Sequence, residues 1–164
     1  MPILRAGAFE IFSNSPEQTR RLGMQLGSRL QAGDLVCLEG DLGSGKTTLT
    51  QGVTAGWGSA EAVTSPTFVL VNVYTRPDGQ QLAHLDAYRL NSAEDAQALD
   101  LDDLLAKGPM LVEWPGRIEP ALPAERLWIK LFWIDEDRRR LEISPQGERY
   151  QAIASSLRDS VFGL

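Results

Sequence analysis

Apolar positions change period several times along the chain, and each change marks an element. Leu22, Leu26 and Leu30 recur at four-residue spacing, one face of an α-helix. Ahead of them, Ser15-Pro16-Glu17-Gln18 is a helix start: a hydroxyl cap, a proline at the first helical position and a glutamine closing a capping box. Ala32-Gly33-Asp34 is the expected stop. Leu35–Glu39 (LVCLE) is a short apolar run bounded by glycines, which predicts a buried strand. A glycine-rich stretch over 40–45 follows. Residues 46–55 then predict a helix, with Leu49 and Val53 on one face and Gly56-Trp57-Gly58 as its end.

The second half alternates more. Residues 67–74 are rich in β-branched and aromatic side chains, Arg76-Pro77-Asp78-Gly79 is a turn, and 80–86 is a second strand, so the pair predicts a hairpin. Ser92 with Asp95 opens a helix carrying Leu99, Leu101, Leu104 and Leu105 to a stop at Lys107-Gly108. Met110-Leu111-Val112 predicts a short buried strand ending on Glu113 and broken by Trp114-Pro115-Gly116. Residues 127–134 and 139–143 flank Asp135-Glu136-Asp137 as a second hairpin. Residues 148–160 form a last helix with Tyr150, Ile153 and Leu157 inward. Strands interleaved with helices, plus two hairpins, predict an α/β fold of three layers around a mixed parallel/antiparallel sheet, one domain over 1–164.

Composition removes several function classes. Apolar residues make up 43% of the 164, enough for a core without disulfide staples. Sixteen Lys plus Arg against 22 Asp plus Glu leaves a net charge of −6, the reverse of a basic nucleic-acid module. One cysteine, Cys37, excludes a disulfide scaffold and reads as a small core residue of the first apolar strand. No run approaches the roughly 18 apolar residues of a membrane span, so no membrane association is expected. Residues 1–7 show no apolar segment of a secretory signal, and a cytoplasmic location is the expectation.

Gly40-Asp41-Leu42-Gly43-Ser44-Gly45-Lys46-Thr47 matches G-x-x-x-x-G-K-[ST] at every fixed position. The spacing has a mechanism. Glycines let backbone N–H groups converge on a phosphate without Cβ clashes, and the helix that follows aims its free N–H groups and positive dipole end at the same anion. Lys46 is then placed to reach the β- and γ-phosphates, Thr47 to ligate Mg²⁺ and Thr48 to contact the α-phosphate. A chance match in a chain of this length has odds of roughly one in a hundred from average residue usage. The strand before the loop and the helix after it outweigh the plain alternative of a glycine turn with a surface lysine. The fold expected is therefore a P-loop NTPase-like domain.

Such a site needs a carboxylate near the metal, commonly at the end of a buried strand. Asp86 and Glu113 both occupy strand ends. Glu113 follows the more uniformly apolar run and is the favoured Mg²⁺ partner, with Asp86 orienting the attacking water or sharing the metal shell. Thr67, in Val63-Thr64-Ser65-Pro66-Thr67, stands where some P-loop proteins carry a segment that senses a γ-phosphate; an ordinary Ser-Pro turn fits equally. His84, the single histidine, is expected to be a hydrogen-bonded structural residue, and alone it forms no metal cluster. The run Arg138-Arg139-Arg140 reads as a solvated edge strand.

Four segments in order carry a resemblance: 40–48, then Ser65-Pro66-Thr67-Phe68, then His84-Leu85-Asp86-Ala87-Tyr88-Arg89-Leu90, then Glu113-Trp114-Pro115. Over about residues 10–145 the sequence resembles the TsaE (YjeE) family, the bacterial ATPases of tRNA threonylcarbamoyladenosine (t6A) biosynthesis. The resemblance implies weak ATP hydrolysis with Mg²⁺, ATP/ADP as the bound nucleotide, and TsaD and TsaB as partners. TsaD performs the transfer in that scheme, and tRNA is met only through the partners. By motif it implies that Gly43, Ser44, Gly45, Lys46, Thr47 and Thr48 bind phosphates, that Thr47 and Glu113 hold Mg²⁺, that Asp86 supports hydrolysis together with Lys46 and Glu113, and that Thr67 acts in a switch-like segment. Trp114 would shape the site, and adenine would lie between the first helix near Glu17 and the C-terminal hairpin near Arg138. Where the family carries a glycine before the acidic helix, this chain carries Asp100. A P-loop small-molecule kinase and a nucleotide-gated binding module with negligible turnover are the competing readings. A GTPase is disfavoured, because no Asn-Lys-x-Asp occurs.

Overall fold

The computed structural model describes residues 6–63 and 71–163. Its strands are β1 (Phe9–Ser13), β2 (Leu35–Glu39), β3 (Val71–Thr75), β4 (Gln81–Asp86), β5 (Met110–Glu113), β6 (Arg126–Trp133) and β7 (Arg139–Gln146). The helices are α1 (Pro16–Gly27), α2 (Lys46–Trp57), α3 (Ala93–Gln97), α4 (Leu101–Lys107) and α5 (Glu148–Phe162). The described strands form one sheet in the order β1-β7-β6-β2-β5-β4-β3. β2 runs parallel to both β5 and β6, and β5 parallel to β4. The hairpins β3–β4 and β6–β7 and the pair β1–β7 are antiparallel. The expected three-layer α/β fold with a mixed sheet is therefore the fold observed.

The middle strands explain the layering. β2 and β5 are apolar on both faces and must be covered on both. On one face α1, α2 and α5 bury Leu22, Leu26, Leu49, Val53, Ile153 and Leu157 against Val36, Leu38, Leu111 and Ile129. On the other, α3, α4 and two short 3-10 turns cover Leu35, Cys37, Met110 and Val112. Helix α1 sits unusually close to α2. Gly23 and Gly27 face Gly52 and Gly56, and a Cβ at any of the four would collide with backbone of the opposing helix. Paired small residues at four-residue spacing let the two backbones meet and fix the helix that follows the phosphate loop.

Several expectations change. β1 was not predicted; exposed Phe12 interrupts its alternation, yet Phe9 and Ile11 are buried beside β7. That strand makes β7 an interior strand, so the Arg138–Arg140 run is not an edge. Helix α1 starts as expected, with Ser15 Oγ accepting from Gln18 N and Gln18 Oε1 accepting from Asn14 N. It ends at Gly27 rather than at 32–34. There Ser28 Oγ and Arg29 Nη1 both donate to Gln25 O and close the last turn, while Leu30 still reaches the core. The expected single helix over 92–107 is two, α3 and α4. Asp100 divides them with φ +50°, and its side chain accepts from Asp103 N. A short polar side chain tolerates the left-handed region here.

Candidate phosphate-binding site

The loop over 40–45 joins the C-terminal end of β2 to the N-terminus of α2. Gly43 (φ +83°) and Gly45 (φ +105°) hold left-handed conformations that side chains rarely adopt. The N-cap residue of α2, Gly45, makes no side-chain capping bond, and the helix start turns its positive dipole end toward the loop. Ser44 N donates to Asp41 O at 3.0 Å, and the buried Ser44 Oγ has no hydrogen-bond partner among the described residues. Thr47 is exposed and Thr48 half-buried at the same helix start.

Lys46 is only 8% exposed. Its Nζ donates to Gly40 O at 2.5 Å, lies 3.9 Å from Glu113 Oε1 and sits 4.3 Å from the centre of the Trp114 ring. Burial holds the ammonium below its ordinary value of 10.5, and the nearby Glu113, Asp86 and Asp41 pull it back up. A desolvated cation with one hydrogen-bonded carbonyl and one distant carboxylate is suited to a polyanion.

Parallel pairing of β4 and β5 supplies the acids. Asp86 stands directly across from Glu113, on the same face, and His84 is across from Leu111 two pairs deeper. Glu113 is buried, and its Oε2 lies 2.6 Å from His84 Nε2. Asp86 is half-buried, and its Oδ1 accepts from Tyr88 N. Trp114 follows Glu113 with φ +56° and packs on Tyr88, whose ring also lies against the Arg117 guanidinium. A cavity of about 560 Å³ opens beside the loop, between Gly40, Asp41, Trp114, Arg117, Lys130 and Phe132.

Lys46, Asp86 and Glu113 are thus brought together beside Gly43, Ser44, Gly45, Thr47 and Thr48. Thr67, with Ser65, Pro66 and Phe68, lies outside the described residues. Glu17 is exposed in the first turn of α1, and exposed Arg138 is engaged by Asp135 Oδ2 at 2.6 Å. The β1–β7 register, Ser13 across from Arg139, sets the start of α1 beside this hairpin. Arg139 is the arginine against the loop. A Cβ on Gly45 would be 3.6 Å from its Cγ, and its buried Nε has no partner among the described residues. The signal was in the alternation, since Arg139 shares a strand face with buried Leu141 and Ile143. Cys37 is a buried core residue. Among the described residues no cluster of three or more His, Cys, Asp or Glu could hold a metal by itself, and no helix is long and apolar enough to cross a membrane.

Known proteins share this architecture and sequence. The family profile described as threonylcarbamoyl adenosine biosynthesis protein TsaE matches residues 13–141. A tRNA threonylcarbamoyladenosine biosynthesis protein TsaE from Bacillus subtilis (strain 168) is 37% identical over 145 residues, covering 87% of this chain and 89% of that protein. The protein of the same name from Streptomyces coelicolor is 43% identical over 138 residues, covering 80% of this chain and 93% of its own. The crystal structure of Bacillus subtilis YdiB superposes with a TM-score of 0.77 at 31% identity, covering 98% of this chain and 99% of that one. With the profile spanning most of the chain and these relatives matched nearly end to end, this chain belongs to the TsaE family.

Proposed function

We propose that this protein is a Mg²⁺-dependent ATP-binding and weakly hydrolysing accessory protein of t6A biosynthesis, acting with TsaD and TsaB rather than transferring the threonylcarbamoyl group itself. The observation that carries this reading is the buried Lys46, set between the N-terminus of α2 and the strand-end pair Asp86 and Glu113. The donor set fits a nucleotide with Mg²⁺. A hydroxyl, one or two carboxylates and no complete protein cage is what a Mg²⁺ ion shared with substrate phosphates needs.

In this reading Gly43, Ser44 and Gly45 bind phosphate, the Ser44 N–H leaving Asp41 O, and Lys46 reaches the β- and γ-phosphates, leaving its bond to Gly40 O. Thr48 contacts the α-phosphate. Thr47 and Glu113 would hold Mg²⁺, which would supply charge neutralisation at the phosphates. Asp86 positions the attacking water, and Thr67 senses the γ-phosphate. Glu17 and Arg138 flank the adenine. The net charge of −6 supports a protein partner with basic patches rather than direct binding of tRNA by this chain.

The test is ATP hydrolysis alone and with TsaD–TsaB, together with co-purification under ATP and under ADP. The expected result is weak turnover alone, association with the partners in one nucleotide state, and loss of turnover in Glu113→Ala and Asp86→Ala. Parent-rate hydrolysis by either variant removes that residue's role, and failure to associate in both states overturns the partnership.

A further inference from the structure

His84 was expected to be a structural core residue, and its surroundings say more. It is 1% exposed, in the middle of β4. Its Nε2 is 2.6 Å from Glu113 Oε2, and its Nδ1 is 3.4 Å from Tyr74 Oη. A carboxylate only accepts, so Nε2 carries the proton and donates to it. The other oxygen of Glu113 faces Lys46 at 3.9 Å, while Lys46 donates to Gly40 O.

That separation is informative. A carboxylate and an ammonium, both buried and within reach, normally close to about 2.7–2.9 Å. Here the pair stands at 3.9 Å, about an ångström beyond that range, and the carboxylate's other oxygen is held by the imidazole. We propose that His84 is a positioning residue for the ATPase. Its Nε2–H fixes the orientation of Glu113, so that one carboxylate oxygen stays directed at the loop and Lys46 is not captured in a closed ion pair. The parallel register makes this possible. It sets His84 two pairs deeper in the sheet than Glu113, on the same face, where the ring can reach the carboxylate from below. Without this bond, Glu113 is free to swing onto Lys46, and both are lost to phosphate and metal together. This inference rests on the Mg²⁺-ATPase reading above.

Two experiments test it. His84 is the only histidine, so ¹⁵N-histidine labelling gives a single imidazole without assignment. In the nucleotide-free protein the proton is expected on Nε2, with a hydrogen-bond shift that Glu113→Gln alters. A ring protonated on Nδ1 alone, with Nε2 bare, overturns the proposal, whatever the activity.

The second compares two conservative variants. Gln can place a donor where Nε2 stands, whereas Asn reaches only the Nδ1 position. His84→Asn is expected to lower Mg²⁺-dependent kcat by about 10- to 100-fold, the usual effect of removing a hydrogen-bond partner of a metal ligand, with KM for ATP changed less than about threefold. His84→Gln is expected to recover most of that loss. Equal activity of the Gln and Asn variants overturns the proposal. A parent that turns over ATP while His84→Asn is unimpaired overturns this inference alone. A parent with neither Mg²⁺-linked nucleotide binding nor turnover overturns the ATPase reading with it.

Discussion

Two of the places where charge is buried among the described residues lie at opposite ends of β2, and they are built differently. At the N-terminal end of β2, Asp34 is 5% exposed and fully engaged. It accepts from Arg149 Nε at 3.2 Å, from Arg149 Nη2 at 2.9 Å and from Gln31 N at 2.8 Å. Arg149 in turn donates to Arg29 O. At the other end of the same strand, Lys46 has one carbonyl at hydrogen-bond distance and its nearest carboxylate at 3.9 Å. The titration shifts point in opposite senses. The hydrogen bond to Asp34 raises the Arg149 guanidinium, whereas burial lowers the Lys46 ammonium. The saturated pair ties α5 to the start of β2 and gains from being charged. The cluster at the loop carries an incompletely matched cation, an arrangement that costs stability and is expected where a ligand completes it.

If that contrast is right, substitutions at the two ends should separate activity from stability. The largest effect is expected for Lys46→Met, which keeps the apolar stem and removes the charge. Hydrolysis should fall by about 10²- to 10³-fold, as for loss of one donor to a developing charge, while unfolding free energy changes by less than about 1 kcal/mol. Steady-state turnover and urea denaturation of the same preparation read both.

Arg149→Ala should do the reverse. Asp34 keeps Gln31 N but loses its guanidinium, a loss of about 1–2 kcal/mol because the outer side of Arg149 is solvated. A lower melting temperature with parent turnover at 25 °C is the expected pair of results. A matching loss of activity would join the two ends and dissolve the distinction.

The smallest effect concerns Cys37, on β2 between them. Burial pushes its thiol from 9.0 up to about 12. The folded state therefore favours the neutral thiol more than the unfolded chain does. That contribution is fully present below pH 9.0 and is lost as pH rises toward about 12. At pH 8 a thiol reagent should label Cys37 only at the rate of unfolding, and nucleotide should slow the labelling. Rapid labelling of the native protein would contradict the buried placement.

The two charged ends were unequally legible in the sequence. The loop is local: its glycines, lysine and threonines stand in one run, so spacing alone carried the chemistry. Glu113 was legible because four residues of strand end on it. The contact between His84 and Glu113 was not, because it joins residues 29 apart through a strand register that no local pattern encodes. Asp34 and Arg149 are 115 residues apart and were invisible for the same reason. Arg139 was obscured by its identical neighbours, although alternation with Leu141 and Ile143 marked it. Gly23, Gly27 and Gly52 carry no local signal and Gly56 marks a helix end in the sequence, so the close approach of α1 and α2 appears only in their packing against one another.

The decisive measurement is the melting temperature of the parent and of Lys46→Met with ADP or ATP, with and without Mg²⁺. At a nucleotide concentration about 100 times Kd the parent should gain about 2.7 kcal/mol, several degrees in melting temperature, and Lys46→Met should gain little. No shift in the parent, or an equal shift in both proteins, would contradict the assignment of this loop as the nucleotide site.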